Sequence, residues 1–174
     1  MYFRDMRNIM PIETGANNEI LRKKSSPVKR ANPVFLRAMT DTMLQNDGLG
    51  LAAPQVGVNE RVFVMKLLRD NLQNETNETT VTDSRPLNYM ILECINPEII
   101  DMNEDTVWGE EGCISLPKLY KEVPRSRKIT VRFSDRNGKE NILILENMNA
   151  RIFQHEYDHL DGILFIDRIE FAKK

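Results

Sequence analysis

The sequence predicts an α+β fold, with antiparallel β-sheets packed around a central helix that carries an HExxH pattern, and a further helix near the N-terminus. Three observations predict it. Strand-like runs come first and the long helix comes late, without the β-α-β alternation of a parallel sheet. Ile129–Phe133 and Ile142–Leu145 are apolar runs joined by a polar segment containing Asn137-Gly138, which marks a hairpin. The segment from Asn147 to Leu160 has Ile152 one turn before His155 and His159 on one face, so that face points inward.

Taken in order, residues 1–8 read as a lead-in, because Met1–Met10 places Arg4, Asp5 and Arg7 among apolar residues and shows no run of signal-peptide length. Asn32-Pro33 offers an N-cap followed by proline at the first helical position. Phe35, Leu36, Met39, Met43 and Leu44 then recur at helical spacing until Asp47-Gly48. Arg61–Leu67 reads as a strand. Residues 70–87 are polar and rich in Asn and Thr, which predicts a mobile surface insertion. Its two Asn-Glu-Thr triplets match a glycosylation pattern that has no meaning without a signal peptide. Met90–Ile95 and Glu98–Met102 read as two short strands separated by Asn96-Pro97. The second helix is expected to take Asn147 as its N-cap and to stop at Asp161-Gly162.

Composition bounds the function. The chain has 174 residues, 41% hydrophobic and 29% charged, which fits one soluble domain spanning 1–174. Lys+Arg 24 against Asp+Glu 26 gives a net charge of −2, with no broad basic face for nucleic acid. No window approaches the roughly 18 apolar residues of a membrane span. Two cysteines, Cys94 and Cys113, cannot build a disulfide framework.

Both histidines of the chain fall in His155-Glu156-Tyr157-Asp158-His159. At i and i+4 on a helix the two imidazoles reach one metal, and Glu156 sits beside that face, placed to accept a proton from water. Two randomly placed histidines fall four apart in only about one chain in a hundred of this length, which favours a metal site over a coincidental pair. A catalytic centre of this type has three protein ligands. The downstream position of a third histidine is Phe165, and few acids follow, so the third ligand is expected upstream. Cys113, in Glu111-Gly112-Cys113-Ile114-Ser115, is the best candidate, because a thiolate completes a His2Cys set for a borderline or soft divalent ion. Cys94 lies in an apolar strand and reads as a small buried hydrophobe. The Gly/Ala-dense stretch Gly48–Gly57 implies close backbone approach, either to another element or to a substrate.

Together, Gly48-Leu49-Gly50-Leu51-Ala52-Ala53-Pro54-Gln55, Glu111–Ser115 and Gln154–Gly162 resemble the three motifs of the peptide deformylase family, in family order. Weaker similarity runs through Leu21-Arg22, Pro27-Val28, Asn96-Pro97, Val123-Pro124-Arg125 and Leu164–Asp167, so the resemblance covers about residues 9 to 168. It implies hydrolytic removal of the formyl group from the N-formylmethionine of nascent polypeptides, with release of formate. It implies one divalent metal ion held by Cys113, His155 and His159, with Fe2+ as the native ion and Zn2+, Ni2+ or Co2+ as substitutes. Glu156 is then the general acid–base, while the Gln55 side chain and the Ile114 backbone N–H hold the developing oxyanion. Gly48, Leu49, Gly50 and Ile152 are the expected substrate-binding residues, joined by the aliphatic stem of Arg151. Asp47 and Arg125 are expected either to pair in support of the site or to be ordinary solvated charges. Ile114 replaces the more usual Leu, a change that a backbone role tolerates. The expected partners are N-formylmethionyl nascent peptides near the ribosome, in a bacterial cytoplasm or an organelle. The basic C-terminal helix of many bacterial members has no counterpart after Arg168, so its docking mode is not carried over.

Two other readings compete. An HExxH metallo-endopeptidase would use the same chemistry but lacks its usual downstream ligand and leaves Gly48–Gln55 without a role. A structural zinc module would need a fourth protein ligand, for which only Cys94 is left as a soft donor.

Overall fold

The computed structural model describes residues 9–69 and 88–171. Helix α1 spans Pro33–Gln45, followed by β1 at Gly50–Ala52, a 3-10 turn at Ala53–Val56 and β2 at Val62–Leu68. Strands β3 (Tyr89–Met102), β4 (Thr106–Cys113), β5 (Leu116–Ser126), β6 (Lys128–Ser134) and β7 (Glu140–Glu146) precede α2 (Asn147–Leu160) and α3 (Phe165–Phe171). The expected insertion at 70–87 and the lead-in at 1–8 lie outside the described residues.

Strands β1, β2, β3, β6 and β7 form one five-stranded sheet in that order, antiparallel at every step, while β4 and β5 form a separate antiparallel ribbon. β2 explains how the layers stack. Its side chains alternate, so Val62 and Val64 meet Leu36, Met39 and Met43 of α1, whereas Phe63 and Met65 meet Ala150, Ile152 and Phe153 of α2. A strand buried on both faces reads as an unbroken apolar run, which is what Val62–Met65 is. Phe63 meets Phe153 edge-on with ring centroids 5.0 Å apart, an arrangement worth about 0.5–1.5 kcal/mol beyond burial. Cys94 is fully buried in the same layer.

Helix α1 is capped as expected, with the Asn32 side chain accepting from Val34 N–H at 2.9 Å and proline in the first turn. Two expectations are corrected. Met90–Ile95 and Glu98–Met102 form one strand, because Asn96-Pro97 is absorbed as an irregularity in the pairing with β6. Asn96 takes φ 49° there, and its side-chain amide bonds both Val28 N–H and Val28 C=O. Asn147 is the first helical residue of α2 rather than its cap, since β7 stays paired through Glu146 and leads straight into the helix. Strands β4 and β5 and helix α3 had no counterpart in the sequence reading. Among the described residues no helix is long and apolar enough to cross a membrane.

Helix α2 is also stitched to strand ends by polar side chains. The Asn149 amide pairs with the backbone of Leu68 in both directions at 2.8 Å, and the Gln154 amide does the same with Ser126 at 3.1 and 2.9 Å. These clamps set the rotation of α2, and with it the direction in which His155, Glu156 and His159 point.

Candidate metal centre and substrate cleft

The β4–β5 ribbon ends in an irregular turn at Gly112/Cys113, which carries Cys113 to the face of α2 that bears the two histidines. One ligand atom each from Cys113, His155 and His159 falls within 4.8 Å of the others. Cys113 Sγ lies 3.3 Å from His159 Nε2, and the imidazole centroids are 5.1 Å apart. A tetrahedral ion with sulfur at about 2.3 Å and nitrogen at about 2.0–2.1 Å sets its donors about 3.5 Å apart. The trio therefore fits a divalent cation without rearrangement of the backbone. Burial alone would raise the Cys113 thiol, yet the flanking His159 and His155 imidazoles hold it well below its usual range. That favours the thiolate, the form that binds metals.

Glu111 fixes one of these ligands. Its Oε2 accepts from His155 Nδ1 at 2.9 Å, and Arg125 grips both carboxylate oxygens at 2.9 Å. Burial opposes ionisation of Glu111, but the Arg125 and His155 hydrogen bonds hold its carboxyl well below the usual range. Arg125 also bonds Asp158, which in turn holds Arg168 of α3, with Nε at 2.9 Å from Oδ2. Arg125 thus pairs with Glu111 and Asp158, not with Asp47; it is 4% exposed and has no solvated role. On the other side, Phe165 of α3 stacks on the His155 ring at 6.2 Å.

Glu156 is buried beside the trio, and its Oε2 has no hydrogen-bond partner. Burial pushes its carboxyl up, against the pull of His155 and His159, to about 7. A carboxyl that titrates near neutrality is suited to both taking and returning a proton. It rests against Gly50: a Cβ on that glycine would lie 2.6 Å from the Glu156 Cδ. The close approach implied by the Gly/Ala-dense stretch is therefore, at this position, approach to the Glu156 side chain.

Gln55 is oriented at both ends. Its Oε1 accepts from Ala52 N–H at 2.8 Å, while Nε2 points to Cys113 Sγ at 3.4 Å and Ser115 Oγ at 3.2 Å. These groups line a cleft of about 660 Å³. Its lining includes Gly48, Leu49, Gly50, Gln55, Cys113, Ile114, Ile152, His155 and Glu156, so the expected substrate residues gather with the expected chemistry. His159 lies beneath, 1% exposed. Leu49 and Met148 are exposed at the rim and Ile152 is buried in the wall. β1 is the edge strand of its sheet, and the Leu49 carbonyl already accepts from Lys66 N–H at 2.8 Å.

Glu111 and Asp158 had no assigned role in the sequence reading, and Arg125 was given a different partner, Asp47. Glu111 and Asp158 lie inside the motifs that carry the chemistry, which is the one signal that could have marked them.

Residues 9–174 match the family described as Polypeptide deformylase. A peptide deformylase of Thermus thermophilus is 41% identical over 161 residues, covering 89% of this chain and 80% of the relative. The crystal structure of peptide deformylase from Thermotoga maritima superposes with a TM-score of 0.75 at 36% identity, covering 92% of this chain and 97% of that one. A Met-Ala-Ser-bound class I type b peptide deformylase from Acinetobacter baumannii gives 0.77 at 31% identity, covering 94% and 99%. The likeness runs through all three segments that build the cleft, and the chain belongs to the polypeptide deformylase family.

Proposed function

We propose that this chain is a metal-dependent hydrolase that removes the formyl group from N-formylmethionine at the start of nascent polypeptides, releasing formate and a free N-terminus. The observation that carries the reading is the buried Glu156 carboxyl, with its Oε2 unpartnered, beside the Cys113–His155–His159 trio. Cys113, His155 and His159 hold one divalent ion, which supplies Lewis acidity and brings the pKa of a water toward neutrality. The His2Cys donor set suits Fe2+, Zn2+, Ni2+ and Co2+, and family membership favours Fe2+ as the native ion.

Glu156 takes the proton of the attacking water and returns it to the departing amine nitrogen. The Gln55 Nε2–H and the Ile114 backbone N–H hold the carbonyl oxygen as charge builds on it; one such donor is worth about 3–4 kcal/mol of barrier. Gln55 is ready for this because Ala52 N–H holds the other end of its amide. An extended substrate aligns along the edge of β1, using the Gly50 backbone, between Gly48 and Leu49 on one side and Ile152 on the other. Ile152, with Leu49 at the rim, receives the methionine side chain, whose flexibility asks only for an apolar pocket. The substrate exists where chains are being made, which places the reaction near the ribosome, in a bacterial cytoplasm or an organelle interior.

The test is mass spectrometry of a formyl-Met peptide incubated with anaerobically purified, metal-loaded protein, with Glu156→Ala alongside. Loss of the formyl group alone, abolished by the substitution, supports the reading. An intact peptide despite bound metal overturns the substrate, and internal cleavage favours an endopeptidase.

A further inference from the structure

Arg151 lines the cleft, as expected of its stem, but its buried guanidinium takes no part in the chemistry above. Nη1 donates to Glu111 Oε1 at 2.8 Å, to Val123 C=O at 2.9 Å and to Gly109 C=O at 3.2 Å, and Nη2 donates to Val107 C=O at 2.7 Å. Those carbonyls come from both strands of the β4–β5 ribbon, with Gly109 and Val123 directly opposite in register. The guanidinium sits against residue 109, which has no side chain. A Cβ there would lie 2.9 Å from Nη2 and 3.0 Å from Cζ. A guanidinium held by four acceptors cannot step aside without giving some of them up.

The Glu111 carboxylate is saturated by this arrangement. Oε1 accepts from Arg125 Nε and Arg151 Nη1, and Oε2 from Arg125 Nη2 and His155 Nδ1. That accounts for about four acceptor sites on an ionised carboxylate. Without Arg151 the group would keep the Arg125 fork and His155 but lose its second donor on Oε1, and with it one of the restraints on its tilt toward His155. Partners of this kind fix the tautomer and ring orientation of a metal-bound histidine, and losing one typically costs 10–100-fold in metal affinity.

We propose that Arg151, seated over Gly109, is a positioning residue that locks the Glu111 carboxylate onto His155 Nδ1 and so keeps His155 Nε2 aimed at the ion. Gly109 and Arg151 are a matched pair, the glycine leaving the space that the guanidinium fills. The inference rests on the reading of Cys113, His155 and His159 as metal ligands.

The experiment loads wild type, Gly109→Ala, Arg151→Leu, Arg151→Lys and the Gly109→Ala/Arg151→Leu double variant with Co2+. It records the visible spectrum, the rate of cobalt loss to a chelator, the thermal melt and kcat against KM on a formyl-Met peptide. Gly109→Ala removes no polar partner, so it isolates the position of the guanidinium. It and Arg151→Leu are each expected to shift the cobalt spectrum and to speed metal loss about tenfold. Arg151→Lys, which still donates to Glu111, recovers part of the difference. The double variant is no worse than Arg151→Leu, because both changes break the same contact. A folded Gly109→Ala with the wild-type spectrum and metal-loss rate overturns the inference, whatever happens to its melt. If Arg151→Leu does not fold, Gly109→Ala and Arg151→Lys decide. A wild-type chain that binds no cobalt overturns the metal site itself, which separates that failure from this one.

Discussion

The Glu156 carboxyl group lies against the backbone of Gly50, so close that a Cβ on the glycine would meet its Cδ and Cγ at 2.6 Å. One element supplies the proton-transfer group and another supplies the flat surface that fixes where it points. Gly50→Ala is therefore expected to displace Glu156 while leaving Cys113, His155 and His159 untouched. A catalytic group moved by about 1 Å can cost about 100-fold. The expected outcome is a fall of about that size in kcat with one metal still bound per chain, measured by steady-state kinetics and metal analysis on the same sample. Wild-type kcat would show that Glu156 does not need this surface.

Arg125 joins two buried carboxylates, Glu111 and Asp158, both with side chains at most 5% exposed. Arg125→Leu removes the two-pronged partner of buried Glu111 and leaves buried Asp158 with Arg168 alone. Breaking a buried pair from one side costs about 3–5 kcal/mol. At this chain length that lowers Tm by about 10 °C. Because Glu111 also steadies His155, metal retention should fall with it. A melt within about 2 °C of wild type would mean that water or another cation compensates, and the network would not be structural.

How much of this was legible in the sequence follows from where each signal sits. Asn32-Pro33 and the β6–β7 hairpin are local signals, and the structure bears both out. HExxH is local too, because a helix alone brings i and i+4 together. The β4–β5 ribbon was not legible, since nearly half of its residues are exposed and its large apolar side chains Trp108 and Tyr120 point to solvent, so no apolar alternation marks it. Asn96-Pro97 read as a break because the distant Val28 backbone, which holds the irregularity in place, cannot be seen from the strand itself. The same holds for the site. Cys113, His155 and His159 announce themselves by residue type. Glu111 is one acid among many until Arg125, Arg151 and His155 close around it from remote parts of the chain. Arg125 could not be assigned to Glu111 and Asp158 rather than Asp47 without the fold that buries it.

The two cysteines are expected to behave oppositely. Cys94 is fully buried in the sheet, where burial pushes its thiol up, and it lies outside the trio. Cys113 is half-buried and opens to the cleft. Cys94→Ala should keep one metal per chain, and Cys113→Ala should lose it. In the wild type, iodoacetamide should modify Cys113 only after a chelator has removed the metal, and Cys94 only after unfolding, as read by peptide mass mapping. Retention of metal by Cys113→Ala, or its loss on Cys94→Ala, would reassign the third ligand.

Gly162 offers a contrast, because its glycine serves the end of a helix rather than the reaction. It follows α2 with φ 71°, its N–H bonds His159 C=O at 3.2 Å, and Ile163 N–H bonds Asp158 C=O at 3.0 Å. That pairing of the last carbonyls is a Schellman cap, which favours glycine because other residues resist the left-handed conformation. The Arg22 backbone also presses on it: a Cβ would lie 2.6 Å from the Arg22 carbonyl carbon. Unlike the tip of a side chain, that carbonyl cannot swing away. Gly162→Ala thus combines backbone strain with a rigid clash, together about 2–4 kcal/mol, and should lower Tm by about 5–10 °C. Since Gly162 touches neither the cleft lining nor Glu156, kcat per folded, metal-loaded molecule well below the melt should stay within about twofold of wild type. A selective loss of kcat with an unchanged melt would instead place the end of α2 in the catalytic step, with the His159 carbonyl as the route.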